Sequence, residues 1–457
     1  MKTNITKIKL LSIAMLMVFS SSVMAQQPAI QYFRPYDQRG INVFETTKED
    51  TVEYDGFKLR IGAGFTQGYQ NLKHSNGLTA ASTPAANLYE MGGGFPLAQA
   101  NFNIDVQLYD GVSLNLVSYM SSHHHNEFWV KGGYLQVDKV TFLNSEFMDN
   151  LWKNLTLKVG HMEINYGDAH FRRSDGGHTL WNPWIENNIM DAFTTEIGAE
   201  LYWKKNGIIA MIAMTDGEIQ GNVAAPSQPD GAKRKPAIYG KLGYDKQLQD
   251  NLRVRLTGSF YSTKSSASNT LFGGDRTGSN YQYVMDNAPV SVTGNYTSGR
   301  FNPGFRDNVT TFVINPFVKF SGLEVFGTFE FAKGKNQFEN GEGTNPARAA
   351  IDDRKADQIA AEALYRFGKN EKFYFGGRYI TLNATVADGV TAASAGTQYD
   401  VTIDRLSIGG GWFITRNVLL KGEYVNQNYD GFPNAGANNR FFEGNFKGFV
   451  IQGAISF

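Results

Sequence analysis

The chain ends Phe449-Val450-Ile451-Gln452-Gly453-Ala454-Ile455-Ser456-Phe457. Along an extended strand, successive side chains point to opposite faces. Phe449, Ile451, Ile455 and Phe457 therefore share one face, and Gln452, Ala454 and Ser456 share the other. Such alternation marks a strand with one apolar face and one polar or small face. An aromatic last residue is unusual for the edge of a water-soluble sandwich. It suits a closing strand with hydrocarbon on one side and a polar interior on the other.

Working back from this strand, period-2 segments recur at about residues 56–69, 98–108, 112–121, 127–138, 155–165, 194–204, 208–215, 236–244, 252–263, 309–320, 323–331, 357–367, 373–382, 404–414, 418–427 and 442–457. In one of them Ala100, Phe102, Ile104, Val106 and Leu108 alternate with Asn101, Asn103, Asp105 and Gln107. The connections alternate too. Links 109–111, 205–207, 245–251, 321–322, 368–372 and 415–417 are short, and Asp110-Gly111 and Asn206-Gly207 are hairpin signals. On the same side, 139–154 is longer and holds the only helical stretch, near Glu146–Trp152. The opposite links are long (70–97, 166–193, 216–235, 264–308, 332–356, 383–403, 428–441), except 122–126. An even strand number with this alternation predicts an all-β fold: an antiparallel transmembrane β-barrel of about sixteen strands over 56–457. Short turns then face the periplasm and long loops the exterior. Sixteen strands are wide enough for an open aqueous lumen, whereas a plugged transporter needs about 22.

The N-terminus agrees with export. Lys2, Lys7 and Lys9 precede an apolar stretch from Leu10 to Phe19, and Val23-Met24-Ala25 offers a cleavage site, so 1–25 reads as a signal peptide. Beyond it no apolar run is long enough for a spanning helix. Segment 26–55, polar and with a charged run from Glu45 to Glu53, reads as a periplasmic tail in preference to a small hatch. Mean hydropathy is −0.33, as expected when lipid-facing residues are diluted by lumen and loop residues. Lys+Arg and Asp+Glu both number 43, so no global basic field points to nucleic acid. The chain has no Cys, hence neither disulfides nor a lipidated N-terminal Cys.

The third external loop, Tyr166–Phe193, carries paired arginines, several carboxylates and two Trp flanking Asn182-Pro183. The run Gly160-His161-Met162-Glu163-Ile164-Asn165-Tyr166-Gly167-Asp168, then Phe171-Arg172-Arg173, and Met190 to Gly198, is similar to the porin family common in Bacteroidota. The match covers about a tenth of the chain; the remainder resembles a trimeric-type outer-membrane diffusion porin in layout. The resemblance implies a passive channel for small hydrophilic solutes and ions, a third loop folded into the lumen, and a homotrimer in the outer membrane. It also implies contact with lipopolysaccharide and with the barrel-assembly machinery, which would read Phe457 as its signal. Arg172 and Arg173 are then expected to face Asp175, Glu186 and Asp191 across a constriction.

The strand phase places Lys58, Arg60, Lys131, Lys158, Lys241, Arg253, Arg255, Lys319, Arg366, Arg378, Arg405 and Lys421 inward, against Asp105, Glu196, Glu200, Glu324, Glu330, Glu362 and Glu423. Twelve basic positions against seven acidic ones predict a weak anion preference. Other signals carry less. His123-His124-His125 cannot all reach one metal from an extended chain. Gly62-x-Gly64 and Gly409-Gly410-Gly411 lie inside strands and are not phosphate loops. No metal site or cofactor is expected. Lys233-Arg234-Lys235 would meet lipid phosphates at the outer rim. An outer-membrane hydrolase could draw on His161, His170, His178, Asp168, Asp175 and Ser174, but no Gly-x-Ser-x-Gly elbow occurs. A surface adhesin or scaffold is the main alternative to a channel, through the Ser-, Asn- and Gly-rich loop 264–308.

Overall fold

The expected strands form, and the sheet closes on itself. The computed structural model describes residues 27–50, 52–78, 88–120, 128–175, 179–219, 234–264, 266, 268–287, 296–339, 352–391 and 394–457. The expected signal peptide, the histidine run and Lys233 lie outside these. The strands are β1 Lys58–Ser75, β2 Gln99–Tyr109, β3 Val112–Met120, β4 Trp129–Val137, β5 Leu155–Glu163, β6 Thr195–Lys205, β7 Ile208–Thr215, β8 Ala237–Gln249, β9 Leu252–Thr263, β10 Asn308–Phe320, β11 Leu323–Lys335, β12 Arg354–Phe367, β13 Phe373–Thr391, β14 Ser394–Thr415, β15 Val418–Asp430 and β16 Gly444–Ser456. Each pairs antiparallel with its neighbours in the chain, and β16 returns to β1 from Gly64↔Ser456 to Ser75↔Asn445. Phe457 fastens the seam. Its N–H donates to the Ala63 carbonyl at 3.0 Å, and the Ala63 N–H donates to the Phe457 carbonyl at 3.0 Å.

The turns follow their residues. Asn206 and Gly207 both have positive φ (52° and 85°), the conformation that a tight Asn-Gly hairpin requires. The helix α1, Glu146–Trp152, starts at Ser145, whose side chain accepts from the Met148 N–H.

Outward residues form an exposed apolar belt that includes Phe65, Phe329, Phe331, Ile359, Phe375, Ile408, Phe449 and Ile451. A continuous belt of this size calls for a non-aqueous surrounding. At the short-turn end, Phe367, Phe373 and Trp412 stack in a row with centroids 5.6 and 6.2 Å apart. Aromatic girdles of this kind suit the edge of a hydrocarbon layer.

Phase can be tested at two neighbours. Phe329 is 36% exposed on the outside, whereas Thr328 is 2% exposed inside, where its Oγ1 is bonded by the Asn315 amide at 3.0 Å. Phe329→Arg should cost about 2–4 kcal/mol in a bilayer. Thr328→Arg would be cheap in an open lumen. Here it should also destabilise, because that site is packed. Urea unfolding of both variants in lipid, read by heat-modifiable gel migration, checks this.

The expected loop 383–403 is instead the upper part of a β13–β14 hairpin whose strands reach Thr391 and Ser394. The pattern inverts there: Ile380, Leu382, Ala384, Val401 and Ile403 are buried inside, while Thr385 and Asp400 face outward and bond at 2.8 Å. The inside is apolar because loops fill it. Ile185, Ile189, Met190, Leu271, Phe272, Tyr281, Val284, Met285 and Phe305 form a core with these strand residues. The open aqueous lumen expected from the strand count is thus corrected: inserted chain occupies the interior.

Candidate functional site

The short-turn mouth holds the first inserted segment. Residues 27–50 and 52–57 do not trail away as a tail. They run as a hoop around the inside of the mouth, meeting the short-turn ends of the strands in turn. At β2–β3, the Gln31 N–H donates to Gln107 at 2.9 Å, its amide donates to Asp110 at 3.0 Å, and its Oε1 accepts from the Gly111 N–H. The Gln38 N–H donates to the Arg416 carbonyl at the β14–β15 turn, and its amide donates to the Asn370 carbonyl at β12–β13. Asn42 donates to Glu324 and accepts from Arg253 through its carbonyl. Glu45 pairs with Lys241 and Arg255 at 3.2 and 2.8 Å. Lys204 donates to the Thr46 carbonyl, and Lys48 to the carbonyls of Asp138 and Leu155. The hoop then closes: Gln31 donates to the Val52 carbonyl, and the Tyr32 N–H to Asp50.

The loop between β5 and β6 sits on this hoop. Arg34 lies 3.6 Å from the Trp181 ring and donates to the Phe171 carbonyl at 2.9 Å. The Trp181 indole donates to the Asp37 carbonyl at 3.2 Å, and Phe44 meets Phe171 edge-on at 5.7 Å. Gly40 permits the contact, since a Cβ there would come within 2.6 Å of the indole nitrogen.

The loop charges touch each other. Arg173 pairs with Asp175 at 2.8 Å and Asp191 at 2.7 Å. Arg300, from the β9–β10 loop, reaches Asp175, Glu186 and Asp191 at 2.9, 2.6 and 3.0 Å. All five side chains are buried. Arg172 turns away to Glu362 on β12 at 2.5 Å and lies over the Phe326 ring. The expected separation of arginines from carboxylates across open space is not the arrangement found; the opposite charges are in contact. Burial alone would raise the Asp175 pKa, but Arg173 and Arg300 overcome it and hold this carboxyl well below the usual carboxylate range.

Six of the twelve inward cations, Lys58, Arg60, Arg253, Arg255, Arg378 and Lys421, each hold inserted chain. Lys58 donates to the Ala29 carbonyl, and Arg60 covers the Phe33 ring. Arg253 donates to the Asn42 carbonyl, and Arg255 pairs with Asp168 and Glu45. Arg378 covers the Trp184 ring, and Lys421 donates to the carbonyls of Thr179, Asn182 and Trp184. The residues considered for hydrolysis are not assembled: Ser174 bonds Glu186, His170 bonds Asn165, His161 bonds Thr195, and Asp168 binds Lys241 and Arg255. His178 lies outside the described residues. Sequence reading missed Arg300 and the part played by Glu45, and took Asp168 only as a candidate for hydrolysis. The charged and aromatic residues of 27–50 were the available signal for the second of these.

A cavity of about 290 Å³ remains between the β2–β6 wall, the hoop and the inserted loop. Its lining runs from Gln31, Thr46 and Lys204 near the mouth, past Asp105, Asn115, Tyr134 and Lys158, to Arg173 and Asp175.

No family model matches the chain, and no curated protein matches it. Among solved structures it is similar to the outer membrane protein OmpT of Vibrio cholerae, in a loop-deletion mutant (12% identity, 88% of this chain, 100% of that one, TM-score 0.45). It is also similar to an anion-selective porin from Comamonas acidovorans (10%, 88% and 100%, 0.49) and to the outer membrane channel DcaP of Acinetobacter baumannii (10%, 89% and 99%, 0.48).

Proposed function

We propose that the chain is an outer-membrane porin, exported through residues 1–25, that passes small hydrophilic solutes and ions by passive diffusion with a weak anion preference. The cavity along the β2–β6 wall carries this reading: it is space left inside an apolar-coated barrel, and both charged and aromatic residues line it. Three of its cations, Arg34, Lys158 and Lys204, are held by carbonyls or rings and make no ion-pair contact, against two carboxylates, Asp105 and Glu163, that make no such contact with a Lys or Arg. An excess of one charge supports a weak preference only. Arg173, Asp175, Glu186 and Asp191 would then narrow the route by packing, with Arg172 bracing the loop against the wall. Phe457 would serve assembly. Lipopolysaccharide, the assembly machinery and two further copies of this chain complete the proposed surroundings.

Purified protein in planar bilayers tests it. The expected result is ohmic channels whose reversal potential in a salt gradient has the anion sign, and a shift toward cations in Lys158→Glu. The filled lumen favours a second reading, a surface scaffold or adhesin barrel. Bilayers that stay silent even after the hoop is removed would support that reading and sink the channel.

A further inference from the structure

We propose that two cross-strand lysine pairs on the outer wall bind the phosphates of a phosphorylated lipid headgroup. The proposal rests on the membrane-barrel reading. Lys73 of β1 stands directly opposite Lys447 of β16, and Lys333 of β11 directly opposite Lys355 of β12. All four are exposed and outward-facing. Each pair is one pleat beyond a belt phenylalanine, Phe449 or Phe331, on the long-loop side.

Like charges directly opposite on neighbouring strands repel, which destabilises a sheet. Two other loop-side cations are neutralised: Lys335 pairs with Asp353 at 3.3 Å, and Arg234, in the basic run expected to meet phosphates, pairs with Glu218 at 2.8 Å. The four lysines make no ion pair or hydrogen bond among the described residues. On the same face of β12, Asp357 lies one pleat below Lys355, opposite Phe331, and makes a longer-range electrostatic contact with it without ion-pair geometry.

The position selects the ligand. A lysine at the edge of a hydrocarbon belt extends its ammonium to headgroup level. Opposite residues of an antiparallel pair stand about 5 Å apart, so two ammonium groups can close on one phosphate from both sides. A doubly charged phosphate ester compensates both, which a single carboxylate does not.

The test uses the full chain in phosphatidylcholine vesicles with and without a diphosphorylated glycolipid, and with its dephosphorylated counterpart. Native mass spectra of the released barrel count retained lipid. The wild type should keep the diphosphorylated lipid and not the dephosphorylated one. Lys73→Gln/Lys447→Gln and Lys333→Gln/Lys355→Gln should each weaken retention about tenfold or more, at roughly fivefold per lysine. Unchanged retention in both double variants overturns the proposal. So does displacement of the glycolipid by inorganic phosphate at equal concentration, since the pairs would then be simple anion sites. A wild type that inserts into none of the vesicles overturns the membrane reading itself, whereas insertion without selective retention overturns only this inference.

Discussion

Deleting residues 31–50 should raise single-channel conductance several-fold while leaving the barrel folded. The hoop occupies the short-turn mouth and contributes no strand, so its loss removes obstruction without opening the sheet. Its attachments are mostly hydrogen bonds to carbonyls and turns, plus the ion pairs of Glu45 with Lys241 and Arg255, of Asp37 with Arg416 and of Lys48 with Asp138. Lys241 and Arg255 keep Asp168 as a partner after the deletion, at 3.0 and 2.7 Å, so no bare pair of cations is left buried. Trp181 and Phe171 lose Arg34 and Phe44 and should gain freedom, seen as added current noise. Conductance and heat-modifiability measured together check this. Unchanged conductance with a folded barrel would place the obstruction in the β5–β6 loop alone.

The second large effect is expected at Arg300. Replacing it by Met leaves Asp175, Glu186 and Asp191 facing one another, with only Arg173 to neutralise Asp175 and Asp191. Breaking a buried ion cluster in this way typically costs about 3–5 kcal/mol. That cost falls on the packing of the two inserted loops, and limited proteolysis of the 264–308 segment should show it. Arg300→Lys should rescue in part, because one ammonium cannot reproduce the fork that spans three carboxylates. The effect has a pH signature. Asp175 has a depressed pKa in the folded state, so its contribution is present above the unfolded pKa and is lost only as pH falls through the lower folded value. Loop loosening in the wild type should therefore require strong acid, below the usual carboxylate range. In Arg300→Met it should occur at milder acid. Channel noise recorded against pH distinguishes the two.

The strands were legible because their signal is local. Alternation at Ala100–Leu108 or Leu323–Phe331 needs only the pleat and the contrast between lipid and interior. The β13–β14 extension was missed because above the belt the apolar residues turn inward and the polar ones outward, so no lipid-facing stripe marks it. The lumen was legible as a list of inward charges but not as a packed interior. Its pairings join residues far apart in the chain: Arg300 reaches Asp175 across 125 positions, and Lys241 reaches Glu45 across 196. No periodicity encodes such distances. The short polar segment 26–55 read as a tail, because by itself it can bury little. It acquires shape only from the turns around it.

That dependence fixes an order of events. The hoop leaves the ribosome before any strand, yet its anchors lie on turns as late as Arg416. It can be seated only after the sheet has formed around its position, which makes it one of the most non-local and slowest contacts to form. It need not thread. Both of its ends meet at Gln31 and Val52 beside β1, so the doubled segment enters a finished mouth from one side, and the chain stays unknotted. Until that step, the newly closed barrel has a more open mouth than the mature one, and docking of its own first residues is what narrows that mouth.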